Sequence, residues 1–150
     1  METMETIILK NLIQNEDYTR RVVPFLDEEY FKDRNERTVY TLIRDHIHKY
    51  NRSPNRDALI IALDDRGGMT EQSYKDTSII IKSITDTIDP VDNEWLMDQT
   101  EKFCKDKAVY NAILRSIEII DGKSKNETKN AIPNILSDAL SVSFDEQIGH

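Results

Sequence analysis

The stretch that decides the fold is "NEWLMDQTEKFCKDKAVYNAILRSIEII", residues 93–120. Along it, large apolar side chains return every seven residues, at Leu96, Phe103, Tyr110 and Ile117. Seven-residue spacing keeps side chains near one side of an α-helix and is typical of a helix that packs along a partner helix. The stretch therefore predicts one long helix over residues 93–121, N-capped by Asp92 and about 43 Å long at a rise of 1.5 Å per residue.

A second amphipathic helix is predicted after the long one. Ile113, Leu114 and Ile120 first widen the apolar stripe toward the end of the long helix. Residues 122–130 then form a polar break, after which Pro133 begins another helix. The apolar face of this last helix consists of Ile132, Ile135, Leu136, Ala139 and Leu140. A long helix, a short polar connection and a second amphipathic helix predict an antiparallel helical hairpin over residues 92–144.

The earlier residues predict a globular helical head over residues 5–88. Amphipathic periodicity indicates short helices over residues 5–14 and 16–26, with Pro24 kinking or ending the second. A longer helix over residues 33–50 has the clearest pattern, with apolar side chains three, four and seven positions apart.

Two further helices complete the predicted head. Ser53 followed by Pro54 has the residue types of an N-cap and a first helical position, which predicts a helix over residues 54–65 that ends at Gly67. A helix over residues 70–87 follows, because helical spacing of its apolar residues outweighs the strand-like run of three isoleucines within it. The fold class is therefore all-α.

The triplet Gly122-Lys123-Ser124 has the sequence that ends the phosphate-binding loop of an ATPase. The full motif has another glycine five positions before Gly122, where this chain has Ile117, whose branched side chain prevents close approach of a phosphate to the backbone. Gly122 suits the left-handed residue just past a helix end, and Ser124 with Glu127 fits a capping box that begins another turn. We expect no nucleotide site here.

The composition excludes several classes of protein. With 150 residues, 38% of them hydrophobic and 32% charged, the chain suits one compact, helix-rich domain. A net charge of −8 disfavours direct binding of nucleic acid, because an acidic surface repels phosphates. No apolar run has the length of a membrane span, and the first residues lack the features of a signal peptide. We expect a cytoplasmic protein.

No group of residues in the sequence calls for an enzyme. His46 and His48 are two apart on a helix and point to different faces, so they do not chelate a metal together. The acidic groups Asp27-Glu28-Glu29 and Asp64-Asp65 lie at helix ends, where carboxylates favour the helix dipole or stay solvated. The lone Cys104 has no cationic neighbour in sequence that would activate its thiol. We expect no catalytic residue, cofactor or metal in this chain.

A family resemblance rests on the order of several short features. The stretch "EDYTRRVVPFLDEEYFKDRNERTVYTLIRDHIHKYNRSPNRDALIIAL", residues 16–63, resembles the start of DnaB-like replicative DNA helicases. The shared features are a short helix, a proline, the acidic and aromatic turn "DEEYF", a helix with arginine at its start, a Ser-Pro step and an "AL..AL" helix. Residues 94–120 and "IPNILSDALSVSFDEQIGH", residues 132–150, are similar more narrowly to the T-even bacteriophage version. The resemblance covers nearly all of residues 5–150.

The resemblance implies that residues 1–150 are the N-terminal domain of such a helicase, with residues 145–150 beginning a linker. A RecA-like ATPase motor, which would hold ATP and Mg, is then expected beyond this chain, and this domain has no catalysis of its own. In this family, the N-terminal domains pair through their hairpins, three pairs form a collar on a hexameric ring, and the collar contacts DNA primase. The implied function is assembly and primase docking in DNA replication.

A hairpin that projects from a small head does not bury its whole apolar stripe within one chain, so a second copy is its natural cover. The predicted oligomer interface consists of Leu96, Phe103, Tyr110, Ile113, Leu114, Ile117, Ile135, Leu136 and Leu140. The alternative is that the hairpin interior and the head bury the same stripe. Two rival functions also stay open: a standalone helical adaptor or helicase-loading regulator, and a small enzyme that uses the acidic groups or Cys104.

Overall fold

In a computed structural model, which describes residues 2–86 and 90–144, every regular element is helical. The α-helices of this part of the chain are α1 (Met4–Gln14), α2 (Glu16–Val22), α3 (Arg34–Tyr50), α4 (Arg56–Arg66), α5 (Glu71–Asp86), α6 (Asn93–Ile120) and α7 (Ile132–Leu140). Short 3-10 turns lie at Val23–Phe25, Glu28–Tyr30 and Lys129–Ala131. The predicted all-α fold class is confirmed.

Side chains that cap the first turn set where several helices begin. Asp33, Thr70 and Asp92 each accept a hydrogen bond from the backbone N–H three residues later, at 2.9, 3.0 and 3.3 Å. These bonds satisfy N–H groups that have no partner within the helix. The predicted beginnings of α3, α5 and α6 are confirmed. The end predicted for α5, at Thr87, lies outside the described residues.

Prolines and glycines end helices where the sequence predicts it. α2 ends at Val22, and Pro24 lies in the 3-10 turn that follows. Gly67 follows α4 with φ of 65°, a positive value that costs a glycine little. The run Ile79-Ile80-Ile81 is helical within α5, as predicted.

The prediction that Ser53 caps α4 is wrong. The cap is Asn55, whose side-chain oxygen accepts a hydrogen bond from the Ala58 N–H at 2.8 Å, and α4 begins at Arg56. The Ser53 hydroxyl instead donates to the Leu12 carbonyl of α1, at 2.7 Å. This tertiary bond to α1 fixes the path of the connection between α3 and α4.

The chain divides into two compact units, Met1–Met97 and Asp98–His150. The sequence places the junction between residues 88 and 92, whereas this division falls within α6. In the first unit, α3 packs against α5, and α1 packs against both. Its fully buried side chains include Ile8, Leu12, Val39, Ile43, Ile81 and Ile84. Phe31 stacks on Tyr40, with ring centroids 4.9 Å apart, at one side of this core.

In the second unit, the chain turns back along α6. Near the start of this unit, the Glu101 carboxylate accepts a hydrogen bond from the Phe144 N–H at 2.6 Å. Near the turn, Arg115 Nε donates to Glu127 at 2.9 Å. In sequence, Arg115 and Glu127 both lie between Glu101 and Phe144. Because the two contacts are nested in this way, residues 98–144 form an antiparallel hairpin. The predicted capping box of Ser124 and Glu127 is wrong, because no helix begins there and Glu127 binds Arg115 instead.

Candidate protein-interaction surface

One side of α6 in the second unit carries large apolar side chains that the chain leaves exposed. We call this set the α6 stripe; its members are Tyr110, Ile113, Leu114, Ile117 and Ile120. Their exposed fractions run from 43% for Leu114 to 58% for Ile120. Spacings of three and four residues place them on one helical face. An apolar face of this extent is typical of a surface that another protein covers.

The α6 stripe is exposed because the buried face of α6 does not follow seven-residue steps. Seven residues fall about 20° short of two helical turns, whereas four residues overshoot one turn by about 40°. Of the seven buried positions of α6, Leu96, Thr100, Cys104, Ala112 and Ser116 lie multiples of four apart. The two patterns therefore rotate in opposite directions around α6. The apolar pattern and the buried face coincide near the beginning of α6 and diverge toward its end.

The predicted interface residues on α6 accordingly fall into two groups. Leu96 is fully buried and Phe103 is 8% exposed, so neither is available to a second chain in this conformation. The chain itself buries these two side chains. Tyr110, Ile113, Leu114 and Ile117 remain on the surface.

The predicted interface residues on α7 differ in exposure. Leu140 is 63% exposed, which makes it the most exposed large apolar side chain among the described residues. Ile135 and Leu136 are half-buried, and Ala139 is buried. The apolar face of α7 is thus divided between the interior of the second unit and its surface.

Arg115 and Glu127 hold the turn of the hairpin beside the α6 stripe. The guanidinium donates to both carboxylate oxygens, so the contact is bidentate. The hydrogen bonds from Arg115 lower the pKa of the Glu127 carboxyl below its ordinary value. Arg115 is more than half exposed, so the pair adds little to global stability, but it restricts the connection between α6 and α7.

The backbone at Gly122-Lys123-Ser124 is already engaged. Gly122 has φ of 76°, which confirms its predicted place just past the helix. The Gly122 N–H donates to the Ile119 carbonyl at 3.1 Å, and the Lys123 N–H donates to the Glu118 carbonyl at 2.9 Å. Both bonds satisfy carbonyl groups at the end of α6. These N–H groups are therefore not free to cradle a phosphate.

Among the histidines and acidic residues that the sequence singled out, His46, Asp27 and Asp64 have local partners. His46 is half-buried, its ring lies 4.7 Å from that of Tyr50, and burial lowers its pKa. Asp27 accepts the Glu29 N–H at 2.9 Å and so caps a 3-10 turn. Asp64 accepts a hydrogen bond from the Tyr74 hydroxyl. Within residues 2–86 and 90–144, no three His, Cys, Asp or Glu side chains converge as metal ligands would.

Cys104 lies on the buried face of α6 and has no exposed surface. Burial, together with the nearby Glu101 carboxylate, raises its pKa to about 12. A thiol in this environment is a poor nucleophile at neutral pH. Its surroundings are those of a packing residue.

The comparisons with known proteins support a replicative helicase relationship. No family model matches the chain. A curated relative, described as a DnaB-like replicative helicase of Enterobacteria phage T4, is 35% identical over 155 aligned positions, which cover 98% of this chain and 32% of that protein. In the part of the chain that the structure describes, no helix combines the length and the apolarity needed to cross a bilayer. The predicted resemblance is confirmed: nearly the whole chain is similar to about a third of a phage DnaB-like replicative helicase.

Proposed function

We propose that this chain is the N-terminal domain of a phage replicative helicase, and that it assembles the helicase rather than catalysing a reaction. The similarity to the T4 helicase supports the first part, because it runs through 98% of the chain at 35% identity. The ATPase motor, with ATP and Mg, would then belong to another part of the same protein. Such a protein would work in the cytoplasm of the host cell.

The observation that carries the assembly role is the α6 stripe. Ile113, Ile117 and Ile120 are each about half exposed on one face of a helix. A second copy of the chain is its proposed occupant, because two identical stripes related by a two-fold axis cover each other. Apolar contact does not depend on charge, so an acidic chain can self-associate through this face despite its net charge of −8. Three such pairs would make a hexamer.

Primase is the second proposed partner. The sequence resemblance supports this role, and the acidic surface of the chain suits a partner with a basic face. Charge complementarity of this kind acts mainly on the rate of association and on specificity.

The experiment that tests the proposal is size-exclusion chromatography with light scattering over a concentration series, with the protein alone and with the cognate primase. We expect a concentration-dependent dimer or larger ring whose mass increases on addition of primase. A strict monomer that ignores primase would contradict both roles. The downstream reading frame separates the helicase from the standalone adaptor: a phosphate-binding loop supports the helicase, and an immediate stop codon supports the adaptor.

A further inference from the structure

The first unit contains a groove whose charge is opposite to that of the chain as a whole. It has a volume of about 550 Å³ and is lined by α2, the 3-10 turn after α2, α3 and the segment that joins α3 to α4. Three arginines, Arg20, Arg44 and Arg52, line it together with a single acidic residue, Glu16. We call it the basic groove. The whole chain, by contrast, has 28 acidic and 20 basic residues.

The three arginines differ in how far other groups satisfy them. Arg44 is the most enclosed: its side chain is 28% exposed, contacts Asp45 at 3.3 Å and lies 5.8 Å from the centre of the Tyr40 ring. This packing holds the guanidinium at the wall of the groove. Arg52 is exposed, and no carboxylate of the described residues forms an ion pair with it.

Arg20, the third arginine, forms an ion pair with Glu16, so an anionic ligand would have to displace Glu16. Its carboxylate accepts a hydrogen bond from Arg20 at 2.9 Å, one turn away on α2. Both side chains are mostly exposed, at 73% for Arg20 and 65% for Glu16, so the pair is weak and exchangeable. A carboxylate from another molecule can replace Glu16 without a change in the backbone.

The lining of the groove is apolar between the charges. Leu26 is buried, while Val23 and Ile47 are half-buried, so parts of these side chains face the groove. A ligand gains free energy here only if it covers this apolar surface as well as neutralising the arginines. The preferred ligand therefore combines carboxylates with large apolar side chains.

We propose that the basic groove binds a short acidic segment of a partner protein, one that carries Leu, Ile or Phe among its Asp and Glu residues. Nucleic acid fits less well, because its backbone would continue from the groove across a surface with net charge −8. A short peptide, in contrast, needs positive charge only over the few residues that contact it. The proposal is separate from self-association, since all the groove residues belong to the first unit.

The test uses the whole chain, labelled with ¹⁵N, and a pool of short peptides with Asp and Glu at fixed positions and Leu or Phe at randomised ones. We expect saturable binding and amide shifts centred on Val23, Ile47, Asn51 and Arg52. A pool with Ala in place of the apolar residues should bind about tenfold more weakly, and a pool with Lys in place of the acids should not bind. No binding by the acidic pool at millimolar concentration, or shifts centred elsewhere, would overturn the proposal.

Substitutions separate specific recognition from general attraction. Arg52→Gln and Arg44→Gln should each weaken binding about tenfold, because each removes a charged hydrogen-bond donor. Glu16→Gln should tighten binding several-fold, because it frees Arg20. Arg21→Gln is the matched control: Arg21 is an exposed arginine of α2 outside the groove, and its loss should change little. Equal weakening by Arg21→Gln and Arg52→Gln, or tighter binding of an oligothymidylate at the same amides, would show that the proposal is wrong.

Discussion

The Glu101 carboxylate ties the chain that follows α7 to the first part of the second unit. One of its oxygens accepts the Phe144 N–H at 2.6 Å and the Ser143 hydroxyl at 3.3 Å. Phe144 itself is 8% exposed, so the bond to its backbone accompanies burial of its ring. A single carboxylate thus fixes where the hairpin closes at the end opposite its turn.

Removal of this carboxylate should loosen the hairpin. Glu101→Ala removes the carboxylate that accepts the Phe144 N–H, and we expect the free energy of unfolding to fall by about 1–2 kcal/mol. Glu101→Gln keeps an acceptor oxygen in place and should cost less. Urea unfolding followed by circular dichroism measures both variants. An alanine variant as stable as the original chain would mean that solvent satisfies this N–H equally well.

The features that the sequence predicts correctly depend on neighbouring residues. The helices, the break at Pro24 and the cap at Asp92 follow from periodicity and from bonds that span a few positions. The predicted cap of α4 is wrong, because Asn55 takes that role while the Ser53 hydroxyl donates to the Leu12 carbonyl, 41 residues earlier. Here a tertiary contact overrides a local pattern.

Local spacing also could not show which of the predicted interface residues the chain itself buries. A seven-residue pattern identifies apolar side chains but not the direction in which the buried face rotates, which depends on small residues such as Ala112 and Ser116. No pattern in the sequence predicts the basic groove. Its arginines come from α2, α3 and the following connection, and only the fold brings Arg20, Arg44 and Arg52 to one surface.

An acidic residue within the α6 stripe should separate self-association from folding. Ile117 is 48% exposed, so Ile117→Asp should leave the chain folded while placing a charge in the proposed dimer contact. We expect a monomer by light scattering with a helical circular dichroism spectrum, and the same result for Tyr110→Asp. The matched control is Ile79→Asp, which changes an isoleucine of α5 that is 59% exposed and should leave the mass unchanged. A dimeric Ile117→Asp variant would contradict the assignment.

Leu96 should behave as a core residue rather than as an interface residue. It is fully buried, and Leu96→Ala should lower the free energy of unfolding by about 2–5 kcal/mol through lost apolar contact and a residual cavity. Leu140→Ala removes a side chain that is 63% exposed and should change stability by less than about 0.5 kcal/mol. Chemical denaturation at low protein concentration, where association is minimal, measures both effects. Similar losses for the two variants would contradict the burial of Leu96.

The Cys104 thiol should be nearly inert in the folded protein. A pKa of about 12, against an ordinary value of 9.0, lowers its thiolate fraction at pH 8 about a thousandfold. Reaction with Ellman's reagent should therefore be slow in buffer and rapid in concentrated urea, where the side chain is exposed. Fast labelling of the native chain would mean that α6 opens often near Cys104.

Glu36 should make stability depend on pH in the direction opposite to that of most carboxylates. Burial, together with the carboxylates of Asp33 and Glu5, raises its pKa above the ordinary 4.5. The folded chain therefore favours the protonated form, and ionisation lowers stability as pH rises through the folded pKa. Glu36→Gln keeps a residue suited to the first turn of α3 and should stabilise the chain at pH 7, with the gain disappearing below pH 4.5. Thermal unfolding of both chains from pH 4 to pH 8 tests this, and superimposed profiles would contradict it.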